Sequence, residues 1–268
     1  MDGKIFVGTS GWAYPAWKPA FFPAKLPPKR FLQHYATRLN AVEVNYSFRH
    51  SISEKTLENW IADTSPGFAF CIKAHQAITH IGRLKKVEEP LRRFLDSVQP
   101  LASAGRLGAV LFQLPPNLRA DPMLLESFLA QLPRARRAAG ESALGTAFRA
   151  AFEFRHASWF QEPLLELLRR HQAALCVAES DELSTPDLAT AQFAYYRFRR
   201  TDYGAGDRRE IALRLQRRAA GEQAIFCFFK HEERPESPLW AEEVLRLARR
   251  EHLGLGNSDS GFENRSFG

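Results

Sequence analysis

Eight short apolar runs recur along almost the whole chain, most of them separated by a stretch of helical periodicity. They are Ile5–Gly8, Ala41–Tyr46, Phe68–Ala74, Leu107–Leu114, Ala150–Arg155, Ala173–Ala178, Phe193–Phe198 and Ala224–Lys230. Runs of roughly four to eight aliphatic, β-branched and aromatic residues read as strands. A strand that passes through a helix before the next strand pairs with it in parallel, because parallel neighbours need a long crossover. Eight such rounds predict an α/β fold, a single (β/α)8 barrel of the TIM type, and the 268 residues match the roughly 250 typical of one.

Helix punctuation supports the alternation. Ser51 with Glu54 reads as a capping box ahead of Leu57 and Trp60. Asp121-Pro122 reads as N-cap and first-turn proline before Met123–Leu132, and Ser237-Pro238 does the same for Leu239–Arg250. Pro163 marks the start of a helix over Leu164–His171. Two stretches fit less well. Arg134–Thr146 is small and charged and reads as a loop or frayed helix, and the crossover Glu179–Gln192 holds at most a short helix, predicting irregularity around strands six and seven. The barrel domain is placed at 1–253. The Gly-, Asn- and Ser-rich 254–268 reads as a disordered tail.

No run reaches the roughly 20 apolar residues of a membrane helix, and MDGKIFVGTS lacks a basic-then-apolar leader pattern. Cys71, Cys176 and Cys227 are widely spaced, each inside a strand-like run, without metal-ligand spacing or a disulfide framework. Together these predict a cytoplasmic protein with no membrane partner. The formal charge of +7 favours anionic partners. Much of the excess lies in clusters such as Arg134, Arg136 and Arg137, or Arg246, Arg249 and Arg250, which read as solvated helix faces, so charge alone is a weak argument for nucleic acid.

Strand alternation locates a site. Residues two apart share a face. One set, with Val42, Val44, Phe70, Ile72, Val110, Phe112, Phe152 and Phe154, is bulky and apolar and suits the helix layer. The other begins small and ends polar, so Glu43, Asn45, Lys73, Gln113, Glu153, Arg155 and Arg197 are predicted to converge on the axis at the C-terminal mouth. Active sites of this architecture lie there. The alternative is an ion-pair network that only plugs the barrel, since buried charges must pair. Trp12, Tyr14, Trp17, Phe21, Phe22, Phe48 and Trp159 fall at the same rim and read either as a stacking wall for a sugar or base or as a cap.

The histidines show no H-x-H or H-E-x-x-H spacing. Glu43, Glu153 and Glu179 could form a hard oxygen site, but Lys73 and Arg155 between them repel a cation. Neither metal nor cofactor is predicted. G-x-S-x-G, P-loop and G-x-G-x-x-G motifs are missing. Acid–base chemistry beside an anion site remains. Glu43, Glu153 and Lys73 are the candidate catalytic residues; Trp12, Tyr14, Asn45, Gln113, Arg155, Trp159 and Arg197 are the candidate substrate-binding set. A glycosidase reading of the two glutamates depends on their separation.

The opening Gly8-Thr9-Ser10-Gly11-Trp12-Ala13-Tyr14-x-x-Trp17, with Phe21-Phe22-Pro23, resembles the start of the YecE-like family, also called domain of unknown function seventy-two. Further similarity lies in Val42–Phe48, Phe70-x-x-Lys73, Leu111–Pro116 and Glu153-Phe154-Arg155-His156-x-Ser158-Trp159, with Tyr196-Arg197 and Ala224–Phe229 matching more loosely. The resemblance implies a TIM-like barrel with a pocket at Trp12, Glu43, Asn45, Lys73, Gln113, Glu153, Arg155, Trp159 and Arg197. It implies no activity. Where the family usually carries a histidine-glycine pair soon after the strand-seven arginine and ends strand eight in asparagines, this chain has Arg199-Arg200 and Lys230-His231, a more basic wall. The leading expectation is a metal-independent acid–base enzyme, of hydrolase type, acting on a small anionic, sugar- or nucleotide-like or phosphorylated ligand. The rivals are a nucleic-acid-binding or nuclease-like barrel and a non-catalytic ligand sensor.

Overall fold

A computed structural model describes residues 5–133, 148–180, 184–221, 224–230 and 234–250. Eight strands form the centre: β1 (Ile5–Thr9), β2 (Ala41–Val44), β3 (Ala69–Lys73), β4 (Leu107–Gln113), β5 (Ala150–Glu153), β6 (Ala174–Glu179), β7 (Phe193–Phe198) and β8 (Ala224–Phe229). Around them run α1 (Phe31–Arg38), α2 (Glu54–Ala62), α3 (Glu88–Ser103), α4 (Pro122–Leu129), α5 (Glu162–Arg170), α6 (Ala205–Ala220) and α7 (Glu236–Arg250). The strands pair in parallel in the order β1-β8-β7-β6-β5-β4-β3-β2. This is the expected α/β barrel of the TIM type. No α-helix joins β6 to β7 among the described residues, in line with the irregularity read there. The stretches 134–146 and 254–268 fall outside the described residues, apart from which no helix is long and apolar enough to cross a membrane.

The two strand faces separate as the alternation requires. Val42, Val44, Phe70, Ile72, Val110, Phe112, Phe152 and Phe154 pack against the helices. A second cluster fills the barrel: Ala41, Ala69, Ala109, Ala151, Ala174 and Ala224 leave room, and Phe6, Phe193, Phe226, Tyr195 and Phe228 occupy it. Alanines on most strands thus face aromatics carried by β1, β7 and β8, an interdigitation of small and large that fills the interior. Cys71 and Cys176 lie inside and Cys227 lies in the helix layer; all three are buried thiols. The alternation slips once, where the β3–β4 register shifts between Phe70 and Cys71. Gly108 sits at the slip, and a Cβ there would lie 2.8 Å from both Cys71 Sγ and the Phe226 ring. That is a β-bulge turned to the interior.

Between β1 and β2 the barrel closes largely through side chains. A single parallel bridge links Ser10 to Glu43. Below it Asn40 accepts from the Val7 amide and donates to the Ile5 carbonyl, each at 2.8 Å. The Tyr35 hydroxyl accepts from the Thr9 amide at 2.8 Å and donates to the Ala41 carbonyl at 2.9 Å. Gly8 permits this approach, since a Cβ there would fall 1.8 Å from the Ala41 oxygen.

Several boundaries differ from the sequence expectation. The α2 N-cap is Ser53, whose hydroxyl accepts from the Thr56 amide at 3.2 Å, rather than Ser51. With a second serine two residues on, the nearer one captures the free amide. Asp121 caps α4 as expected, bonding the Leu124 amide at 3.0 Å. Helix α7 begins at Glu236, so Ser237 and Pro238 lie in its first turn, where a proline costs no hydrogen bond.

Candidate functional site

The inward residues at the strand ends build one charged cluster around Arg197. Arg197 is 1% exposed, and its guanidinium lies between two carboxylates that are both fully buried. It donates to Glu153 Oε2, to Glu43 Oε1 at 2.8 Å and more weakly to Gln113 Oε1 at 3.4 Å. Glu43 also accepts from the Ser10 hydroxyl and the Tyr195 hydroxyl, each at 2.7 Å. Glu153 also accepts from Arg155 Nε at 2.9 Å, and Arg199 stands 3.7 Å away. Lys73 Nζ donates to Gln113 Oε1 at 3.0 Å and sits over the Phe48 ring, 4.1 Å from its centroid.

Each position follows from local sequence. Glu43, Lys73, Gln113 and Glu153 lie at or near the C-terminal ends of consecutive strands β2 to β5, on the inward parity. Arg197 and Tyr195 share that parity on β7. Arg155 and Arg199 continue it past the last residues of β5 and β7. Five of the candidate residues therefore meet in one hydrogen-bonded group, and Arg155 joins it through Glu153.

The others stand apart. Asn45 has left β2 for a short 3-10 turn at Tyr46–Phe48, and its buried Oδ1 has no hydrogen-bond partner. Trp12 packs edge-on against Trp60 at 5.0 Å, and Tyr14 tilts onto Trp17 and donates to the Ser10 carbonyl at 3.1 Å. Both rings are partly exposed. Trp159 offers no stacking face: it is fully buried, stacked on Phe154 at 4.5 Å, with its indole N–H bonded to the Leu118 carbonyl at 2.8 Å. Trp17, Phe21 and Phe22 are buried too, in an aromatic group with Phe31. An apolar side chain this large is worth more in the core than at a wet rim, so most of the aromatic wall is core.

Burial pushes the Glu43 carboxyl up, but Arg197, Ser10 and Tyr195 outweigh it and hold it below the usual carboxylate range. Burial acts likewise on Glu153, and Arg197, Arg155 and Arg199 overcome it, leaving the carboxyl at about 2. Neither glutamate can hold a proton near neutral pH, so the sequence expectation of a glutamate acid–base pair meets a physical objection. A carboxylate this acidic is also a poor base. Lys73 differs. Burial and the neighbouring Arg197 bring its ammonium down to about 8, against partial support from Glu43 and Glu153. His80, edge-on to Phe48 at 4.8 Å, is lowered by burial and by Lys73, Arg155 and Arg83.

Among the described residues no group of three or more His, Cys, Asp or Glu side chains gathers in metal-binding geometry. The space between Glu43 and Glu153 is taken by Arg197. Sequence reasoning missed Ser10, Tyr195 and His80 as members of this neighbourhood. Tyr195 was within reach of the argument, because it lies two residues before Arg197 on the same strand face.

The sequence profile of a family described as "Protein of unknown function DUF72" matches residues 6–262. The UPF0759 protein YunF of Bacillus subtilis is 28% identical over 166 residues, 60% of this chain and 54% of that protein. The UPF0759 protein YecE of Escherichia coli K12 is 29% identical over 131 residues, 48% of this chain and 44% of that protein. These matches span about half the length of those curated relatives. The crystal structure of a DUF72 family protein from Thermotoga maritima superposes with a TM-score of 0.71 at 24% identity, covering 94% of this chain and 99% of that one. One from Enterococcus faecalis gives 0.70 at 16% identity, covering 98% and 100%. These superpositions establish the shared fold. With the profile covering nearly its whole length, the chain belongs to the DUF72 family, a family of unknown function.

Proposed function

We propose that the barrel mouth is an anion-binding active site for metal-independent acid–base chemistry on a small anionic, sugar- or nucleotide-like substrate. The observation that carries this reading is an imbalance of charge. Glu43 and Glu153 face Arg197, Arg155, Arg199 and Lys73, so the cluster carries cations beyond those its carboxylates neutralise. A network that only plugged the barrel would match its charges, because an unmatched buried cation costs several kcal/mol. The side chains of Arg155 and Arg199 remain 27% and 16% exposed, so solvent reaches the side of the cluster where they stand. Guanidinium groups there suit a carboxylate or phosphate.

In this reading Glu43 and Glu153 are charged anchors that hold Arg197 and Arg155 in place, and Lys73 is the group that carries a proton. Trp12, Tyr14 and Gln113 complete the rim and wall of the substrate site. A single-stranded nucleic acid is less well served, since the rings it would stack on are largely buried.

Thermal unfolding in a phosphate-free buffer tests the reading. Inorganic phosphate, sugar phosphates, nucleotides, neutral oligosaccharides and a short oligonucleotide are added in turn. An anion at a hundredfold its Kd adds about 2.7 kcal/mol of stability. The expected result is a rise in Tm with a small anion that disappears in Arg155→Ala. If no anion stabilises the protein while Glu153→Gln melts far below wild type, the cluster is only a plug.

A further inference from the structure

We propose that Lys73 is a nucleophilic amine that condenses with the carbonyl carbon of a small oxo acid or phosphorylated aldehyde or ketone, its anionic end held by Arg155 and Arg199. The inference rests on the anion-site reading above and adds to it the substrate's reactive group.

Three observations converge. Lys73 stands at the C-terminal end of β3, partly exposed at the mouth. Its Nζ bonds a neutral amide oxygen, that of Gln113, and the face of Phe48, and among the described residues no carboxylate lies within ion-pair distance of it. Both nearby carboxylates are committed to guanidinium groups. A half-buried ammonium usually recruits a carboxylate; here Glu43 and Glu153 lie beyond ion-pair distance and are held by guanidinium groups, and burial with Arg197 and Arg155 nearby favours the neutral, nucleophilic amine. The titration of Lys73 at about 8 agrees with that geometry. At pH 7 such an amine is neutral in roughly one molecule in ten, against roughly one in three thousand for an unperturbed lysine.

The step balances without a co-reactant. The amine lone pair bonds to the carbonyl carbon, the C=O π pair moves to oxygen, and one proton passes from the nitrogen to that oxygen to give the neutral carbinolamine. Loss of that oxygen as water, with a proton from nitrogen, leaves the imine. His80 packs edge-on against the same Phe48 ring that Lys73 covers, and burial and the nearby Lys73 lower its imidazole pKa.

The protein is incubated near pH 7 with glyoxylate, pyruvate or glyceraldehyde 3-phosphate and cyanoborohydride, which delivers hydride to the imine carbon and fixes a secondary amine. Peptide mapping by mass spectrometry then gives the rate at each lysine. The expected result is an adduct on Lys73 at least about tenfold faster than on the exposed Lys55. It is slowed by inorganic phosphate, slowed in Arg155→Ala and absent in Lys73→Arg, whose fold is checked by its melting curve. Stabilisation by phosphate without preferential Lys73 labelling overturns the imine and leaves the anion site standing. Neither stabilisation nor labelling overturns both.

Discussion

Arg197 holds two buried carboxylates at once, so its removal has an asymmetric effect. In Arg197→Met, Glu43 loses the guanidinium that offsets its burial, and Glu153 keeps only Arg155 and Arg199. Breaking a buried pair from one side costs about 3–5 kcal/mol, so urea unfolding at pH 7 is expected to show a loss of that order. The pH dependence should also reverse. In the wild type, Glu153 sits at about 2 when folded, below its unfolded value. A depressed carboxyl contributes stability that is present above its unfolded pKa, near 4, and is lost as pH falls from there toward 2. In Arg197→Met the Glu43 carboxyl, left with only Ser10 and Tyr195 against its burial, is expected to rise above its unfolded value, so that variant is expected to gain stability on acidification from neutral pH. Stability curves from pH 3 to pH 8 check both signs. Lys73 works the other way. A folded ammonium lowered to about 8 makes stability rise with pH between 8 and the unfolded value. Lys73→Met is therefore expected to leave Tm at pH 7 unchanged or higher, and a clear fall would mean that its bond to Gln113 outweighs the crowding of cations.

At the scale of elements, the β1–β2 seam depends on two side chains where other neighbours use a ladder. Tyr35→Phe removes the partner of both the Thr9 amide and the Ala41 carbonyl. Each group left buried and unbonded costs about 1–3 kcal/mol, so a loss of about 2–6 kcal/mol is expected in urea. Hydrogen exchange should quicken first at Thr9. Gly108→Ala places a methyl group against Cys71 and Phe226 and is expected to cost about 1–3 kcal/mol through overpacking, read as a lower denaturation midpoint.

The strands and their faces were legible in the sequence because side-chain alternation is a rigid consequence of the extended backbone. Phe193–Phe198 matches the strand observed, and Ala150–Arg155 overran β5 by two residues. What was not legible depended on three-dimensional competition. Ser51 and Ser53 both satisfy a capping pattern locally. Trp159 follows a strand as rim residues do, yet folds back beneath the rim onto Phe154. The bulge at Gly108 leaves no periodic mark, and the commitment of both glutamates to one guanidinium appears only when β2, β5 and β7 are brought together.

The whole molecule carries +7, and its C-terminal mouth contributes to that excess. Attraction of an anion to such a mouth is part local contact and part long-range field, and only the second is screened over about 8–10 Å at ordinary ionic strength. Raising sodium chloride from about 50 mM to about 500 mM is expected to slow anion association by several-fold while leaving the Arg155 dependence intact. A loss of binding as complete as in Arg155→Ala would mean that the field does all the holding. The seam between the first two strands bears on how the protein is made. Asn40 and Tyr35 reach β1 amides only 33 and 26 positions away along the chain. The ladder on the other side of β1 pairs it with Ala224–Phe229, among the last described segments. On a ribosome the first strand can therefore be clasped on one edge long before its other edge meets Ala224–Phe229, the strand that closes the ring.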